Sequence, residues 1–390
     1  MKRLVALFLV VHFSGQALAD TPLSEAELGR VLFFDPSFSV NRSMACATCH
    51  DPEKAFTDHR RNIGNAMVSL GDDRHSTGNR NAPTAAYAAT SPKFHFDETL
   101  KEYVGGQFLD GRAATLADQA MGPPLNPLEM ALPSAAEVVR RLQENPVYRE
   151  AFTRIYGERI FDAPQAPDAT PPAYAAFGKA IQAFERTDAF STYDSKYDRF
   201  LKGEYELTVL EDLGRTLFFS NNNVNCGDCH KLKPEDSANE PFTNHQYRNI
   251  GVPPNPDLLA LGQLAKDYVD HGLLQNPAVD DKKYDGKFRN PTLRNVAVTG
   301  PYMHNGVFKD LRTVVAFYDQ YNNAERTTNP ETGKPWRDPE VPATVDKEEL
   351  KGQPLSDRKI DALVAFLKSL TDRRYEPLLD TPEKTAAAHQ

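Results

Sequence analysis

Four cysteines occur in the 390-residue chain, and they fall in two identical patterns. Cys46-Ala47-Thr48-Cys49-His50 and Cys226-Gly227-Asp228-Cys229-His230 are two copies of C-x-x-C-H, with no cysteine left over. In this pattern two thiols bond the vinyl groups of a c-type haem, and the adjacent histidine ligates the iron from one face. One such pentapeptide is also compatible with a redox dithiol or half a zinc site. Two of them, in a chain with an export signal and no other cysteine, point to two covalent haems rather than to disulfides.

The export signal is read at the N-terminus. Lys2 and Arg3 precede an apolar run, Leu4 to Phe13, that is too short to span a bilayer. Ala17-Leu18-Ala19 then supplies a small-x-small cleavage pattern, so residues 1–19 read as a secretory signal and the mature chain as periplasmic. Loss of Lys2 and Arg3 takes the formal net charge from −9 to −11. A chain this acidic has no general footprint for nucleic acid, and no further stretch is apolar enough for a membrane span.

The flanks of the two motifs repeat. Leu28-Gly29-Arg30-Val31-Leu32-Phe33-Phe34 precedes the first, and Leu213-Gly214-Arg215-Thr216-Leu217-Phe218-Phe219 the second. Downstream, Phe56-Thr57-Asp58-His59 is echoed by Phe242-Thr243-Asn244-His245, and Asn81-Ala82-Pro83-Thr84 by Asn290-Pro291-Thr292. The expected fold is mainly α: two cytochrome c-like haem modules related by pseudo-twofold symmetry. The expected boundaries are 20–190 for the first module, 191–375 for the second and 376–390 for a tail. Ser24 with Glu27, and Ser134 with Glu137, read as capping boxes. Ile360, Leu363, Val364 and Leu367 mark a last amphipathic helix. The Pro- and Ala-rich residues 163–173 read as an inter-module loop.

The repeat also predicts two unlike haems. Aligning Gly111 with Gly306 brings Leu116 opposite Leu311 and Pro123 opposite Tyr318. Proline has no donor atom, whereas a tyrosine phenol can ligate ferric iron. One haem is thus expected to be open beneath Pro123, and the other closed by a protein ligand. Tyr318 is the foremost candidate, with Met303 and His304 as rivals.

Asp110-Gly111-Arg112, Gly122-Pro123-Pro124-Leu125-Asn126-Pro127-Leu128-Glu129-Met130, Pro291-Thr292-Leu293-Arg294-Asn295 and Pro301-Tyr302-Met303-His304-Asn305-Gly306 join the two haem motifs in a specific resemblance. The chain resembles the bacterial dihaem cytochrome c peroxidase and MauG family over nearly its whole mature length. The peroxidase branch has methionine at the place of Tyr318, and the MauG branch has tyrosine. The resemblance implies calcium held between the haems by Asn81, Thr299 and Pro301, the latter two through backbone carbonyls. It places Gln119, Pro123 and Glu129 over the open haem. Without it, Asn81 and Thr299 read as turn residues, Glu129 as a solvated helix position and Gln119 as a surface amide. One departure stands out. The family has tryptophan just before Asp-Gly-Arg, as an electron relay between the haems, and this chain has Leu109.

These parts imply a reaction. An open ferric haem binds hydrogen peroxide, and Glu129 moves a proton between its oxygens while Gln119 orders water or peroxide. The MauG resemblance implies that both irons reach Fe(IV) and that the protein oxidises tryptophan residues of a partner protein, maturing a cofactor. The alternatives are a dihaem peroxidase fed by a small redox protein, and a dihaem electron carrier. The mature protein is expected to weigh two haems more than its signal-cleaved polypeptide. An intact mass showing one haem, or zinc, would overturn this reading.

Overall fold

The computed structural model describes residues 22–380 except 167, 221–224, 232 and 234–238. The expected signal and residues 381–390 of the expected tail lie outside the described residues; the start of that tail is instead ordered in a 3-10 helix, Arg373–Asp380, with Leu379 packed on the second core.

The first module begins with α1 (Glu25–Phe34). Ser24 and Glu27 form the expected reciprocal box, which satisfies the first free N–H groups of the helix. Five short helices follow: α2 (Cys46–Cys49), α3 (Leu116–Ala120), α4 (Gly122–Leu125), α5 (Ala135–Glu144) and α6 (Pro146–Tyr156). Helix α7 (Pro172–Glu185) closes the module. Ala173, Ala176, Phe177, Ala180, Ile181 and Phe184 face inward from it. The second module repeats the plan with α8 (Lys196–Leu201), α9 (Val209–Phe218), α10 (Cys226–His230), α11 (Pro256–Ala260), α12 (Leu311–Asp319) and α13 (Asp357–Ser369). The described strands are no more than three residues long and form three two-stranded ladders.

The pseudo-twofold relation is visible in individual contacts. Helix α1 crosses α7 so closely that a Cβ on Gly29 would overlap the Ala180 carbonyl; a Cβ on Gly214 would overlap the Ala362 carbonyl where α9 crosses α13. Phe33 meets Phe184 edge-on at 5.6 Å and Phe56 at 6.4 Å. Their counterparts Phe218, Phe366 and Phe242 repeat this, at 5.2 Å and 5.9 Å from Phe218. Two apolar cores result, one from Leu28 to Phe190 and one from Tyr197 to Leu370. Ile360, Leu363 and Leu367 are buried in the second, as the periodicity predicts.

Two expectations need correction. Residues 163–173 do not join the modules: the helix they lead into, α7, packs on α1 within the first core. Ser134 does cap α5, but Glu137 turns away to Arg140 and Arg141, so the box is not reciprocal. A nearby guanidinium is a stronger partner for a carboxylate than a backbone N–H.

Polar ties join the modules. Tyr87 donates to Asp372 at 2.6 Å, and Asn295 donates to the other Asp372 oxygen at 2.8 Å. Arg80 bridges Asp110 of its own module and Asp270 of the other, both at 2.6 Å. Arg294, the largest fully buried side chain, is paired with Asp198 at 2.9 Å and lies against Tyr87. Truncating one partner of such a buried pair is costly, because the other charge is left bare.

Gly214→Ala should lower the free energy of unfolding of the holoprotein, read from chemical denaturation, by roughly 1–3 kcal/mol, the usual cost of overpacking. Gly29→Ala should do the same. A neutral effect at both would show that the crossings can relax.

Candidate haem-binding site

A cavity of about 440 Å³ runs through both modules. Its first end is lined by Cys49, His50, Gln119, Pro123 and Glu129. Its second is lined by Cys226, Cys229, His230 and Tyr318, with Leu363 and Leu367 of α13.

At both ends the chain fits a covalently held haem. His50 Nδ1 lies 3.1 Å from the Phe56 carbonyl, and His230 Nδ1 lies 3.2 Å from the Pro291 carbonyl. A carbonyl only accepts, so each Nδ1 carries the proton and each Nε2 is left as a lone-pair donor. Burial holds both imidazoles neutral, with His230 pushed down to about 4. The thiols are held protonated by the same burial, Cys46, Cys49 and Cys226 pushed up to about 12 and Cys229 to about 11. No cluster of three or more His, Cys, Asp or Glu side chains able to hold a metal ion exists among the described residues.

The two ends differ as the repeat predicts. Thr115 and Asp310 cap the matching helices α3 and α12. Helix α12 runs unbroken to Asp319 and carries Tyr318 on the cavity wall. Helix α3 stops at Ala120, and Gly122-Pro123-Pro124 starts the new turn α4. Proline lacks an N–H and favours a first turn over a helix interior, so the break puts an inert ring where the other module has a phenol. Beside it, Glu129 is half-buried, accepts from Asn126 Nδ2 at 2.8 Å, and has its carboxyl pushed up by desolvation. Gln119 lines the same end.

Asn81, Thr299 and Pro301 share the cavity wall. The Asn81 amide donates to the carbonyls of Ala66 and Met67, each at 3.1 Å, which leaves its Oδ1 uncommitted by those bonds. The Thr299 hydroxyl is spent on the Val296 carbonyl. His304 lies 3.1 Å from Glu340 through Nε2 and stacks on Phe288 at 3.9 Å, while Met303 lines the cavity. His75 is exposed and His59 faces Asp51 at the surface, whereas its repeat partner His245 is buried on the cavity wall. Trp336, half-buried, donates to the Arg326 carbonyl and packs on Phe308 and Phe317. Leu109 lines the cavity, and its carbonyl accepts from the N–H of Arg289.

Arg289 and Glu185 are among the cavity residues that sequence reasoning missed. Arg289 contacts His245 at 3.3 Å and the Phe108 carbonyl, and no carboxylate is among the groups that shift it. Glu185 lines the first end with Oε2 unpaired. The repeat offers a signal for Glu185: it follows Phe184 as Leu367 follows Phe366.

Comparison with known proteins agrees with this geometry. A family profile described as di-haem cytochrome c peroxidase matches residues 24–206. The methylamine utilization protein MauG of Paracoccus denitrificans is 47% identical over 383 residues, 97% of this chain and 96% of that one. The chain belongs to the dihaem cytochrome c peroxidase and MauG family. It is also 31% identical to the cytochrome c551 peroxidase of Pseudomonas aeruginosa, covering 80% of this chain and 77% of that one. Among solved structures, the diheme peroxidase BthA of Burkholderia thailandensis superposes with a TM-score of 0.79 at 32% identity, over 93% of this chain and 90% of the other. Two c-type haems are therefore its cofactors.

Tyr318→Phe removes the phenol oxygen and leaves Cys226 and Cys229 in place. The ferric electron paramagnetic resonance signal of the second haem is expected to change, with the intact mass still showing two haems. An unchanged signal would assign the axial position to Met303 or another group.

Proposed function

We propose that this chain uses hydrogen peroxide to store two oxidising equivalents and spends them on tryptophan residues of a partner protein, completing that protein's cofactor. The observation that carries this reading is the contrast between the cavity ends, Pro123 against Tyr318, in a chain 47% identical to a MauG protein.

When bound, the haems supply an open ferric site for peroxide and the redox capacity to hold the equivalents. The rest falls to the chain. His50 and His230 each present Nε2, with the tautomer set by a backbone carbonyl. Pro123 keeps the first position free of any donor. Glu129 holds its proton more tightly than an ordinary carboxyl because burial disfavours the anion. It is thus suited to take a proton from one peroxide oxygen and return it to the other. Gln119 offers an amide to orient the peroxide. Tyr318 offers an anionic oxygen, which favours high oxidation states over reduction. Its phenol is pushed up by burial, so it would ligate only where a metal cation offsets the loss of the proton.

Asn81 Oδ1 with the carbonyls of Thr299 and Pro301 offers three neutral oxygen donors to calcium, a hard cation that takes such ligands. The segment 1–19 directs export to the periplasm. Among the described residues, no helix is long and apolar enough to cross a membrane.

A second reading, peroxide reduction with electrons from a small redox protein, is favoured by Leu109 at the relay position and by the likeness to peroxidases. The two are separated by supplying peroxide with either a tryptophan-bearing partner or a reduced small cytochrome. Mass change in the partner supports the first reading, and turnover of the cytochrome alone overturns it. In either case Glu129→Gln should slow the reaction with peroxide by roughly 10²–10⁴-fold, the usual worth of a general acid–base group. The resting haem spectrum should hardly change. A wild-type rate would remove Glu129 from the mechanism.

A further inference from the structure

Glu185 ends α7 and is 5% exposed, and its Oε2 has no hydrogen-bond partner among the described residues. It lines the first end of the cavity and is close enough to Cys46 to raise that thiol. The crossing of Gly29 with Ala180 and of Gly214 with Ala362 puts the modules in register, so the counterpart of Glu185 is Leu367. A leucine there is the ordinary choice for an apolar haem wall. An unpaired buried acid is costly in either protonation state, and most costly as an anion. The C-terminal end of a helix adds further to the cost of a negative charge.

The groups around it do not relieve that cost. Glu25, Glu27 and Arg30 of α1, Asp118 of α3, Arg149, Glu150 and Arg154 of α6, and Arg186 next in sequence are exposed to solvent. In α5, Glu137 is taken up by Arg140 and Arg141. Tyr174 donates to the Met121 carbonyl. Around the cavity end stand Cys46 and Cys49, which become thioethers and no longer titrate, together with His50, Glu129 and Arg112. The groups acting on His50 are Phe56 and Asp58, not Glu185.

We infer that Glu185 is a redox-linked proton site of the first haem, releasing its proton when that module loses an electron and regaining it when the electron returns. With haem held by Cys46, Cys49 and His50, oxidation would send one electron from the module to an oxidant, a redox protein or the electrode of a test. The O–H bond of the Glu185 carboxyl breaks, and its proton passes to water. The charge of the module is unchanged overall, which suits a site of low polarity. Desolvation alone lifts this carboxyl to about 8. Oxidation adds positive charge and brings the carboxyl down, so the coupling window lies below about pH 8.

The inference rests on the haem reading of Cys46, Cys49 and His50, not on the peroxide reaction. Spectroelectrochemical titration of the full holoprotein between about pH 5 and about pH 9 tests it. The potential of the first haem should fall as pH rises within the window, by up to tenfold in equilibrium constant per pH unit, ~59 mV for one electron. Glu185→Gln and Glu185→Leu should both flatten that slope, and Glu129→Gln should keep it. The infrared difference between oxidised and reduced protein should show the C=O stretch of a protonated acid, absent in both Glu185 variants. A flat wild-type profile, a slope that survives both Glu185 substitutions, or one lost only with Glu129→Gln would overturn the inference. Loss of haem from Cys46 would instead sink the haem reading, which intact mass reports separately.

Discussion

Two helices can approach to backbone contact only where a side chain is missing, and this protein makes that contact at matching places in its two modules. Gly29 against Ala180 and Gly214 against Ala362 fix how closely α1 crosses α7 and α9 crosses α13. The crossing seats Phe33 and Phe184 in one core, and Phe218 and Phe366 in the other. Phe56 and Phe242 pack on these rings, and their carbonyls meet the Nδ1 atoms of His50 and His230. A missing methyl group is thereby linked, through three aromatic rings and a backbone carbonyl, to the nitrogen that must face iron.

The parts legible in the sequence were those with local or repeated chemistry. Cysteine spacing announces a covalent bond, and Ser24 with Glu27 announces a cap, because both act between neighbours in the chain. The duplication then brought Tyr318 opposite Pro123 across a long separation in sequence. Glu185 and Arg289 escaped because a buried polar group on a cavity wall looks, along the chain, like any helix-end or strand charge. Residues 163–173 misled for a similar reason: proline and alanine mark a loop but say nothing of which core the next helix joins. Ser134 showed the limit of local rules, since Glu137 found two arginines on its own helix.

Symmetry in the frame allows asymmetry in the contents. Matching caps at Thr115 and Asp310 start two helices alike, and a Gly-Pro-Pro break in one of them changes what reaches the cavity. Leu367 and Glu185 differ in the same spirit: one closes an apolar wall and the other places an acid in it. The difference between the two cavity ends therefore needs only a few substitutions on a shared scaffold. Neither core had to be rebuilt.

The seam between the modules has a historical consequence. The Tyr87 hydroxyl is satisfied by Asp372, Arg80 is satisfied in part by Asp270, and the Asn81 N–H is satisfied by the His304 carbonyl. Each half has surrendered part of its own wall and supplies the missing part of the other. An ancestor with one haem could double by simple duplication, but the descendant cannot be halved. Released on its own, either half would open its side of the cavity and leave partners such as Tyr87, Arg80 and the Asn81 N–H without these bonds. The merger works as an evolutionary ratchet, and it keeps two unlike cavity ends bound to one lineage.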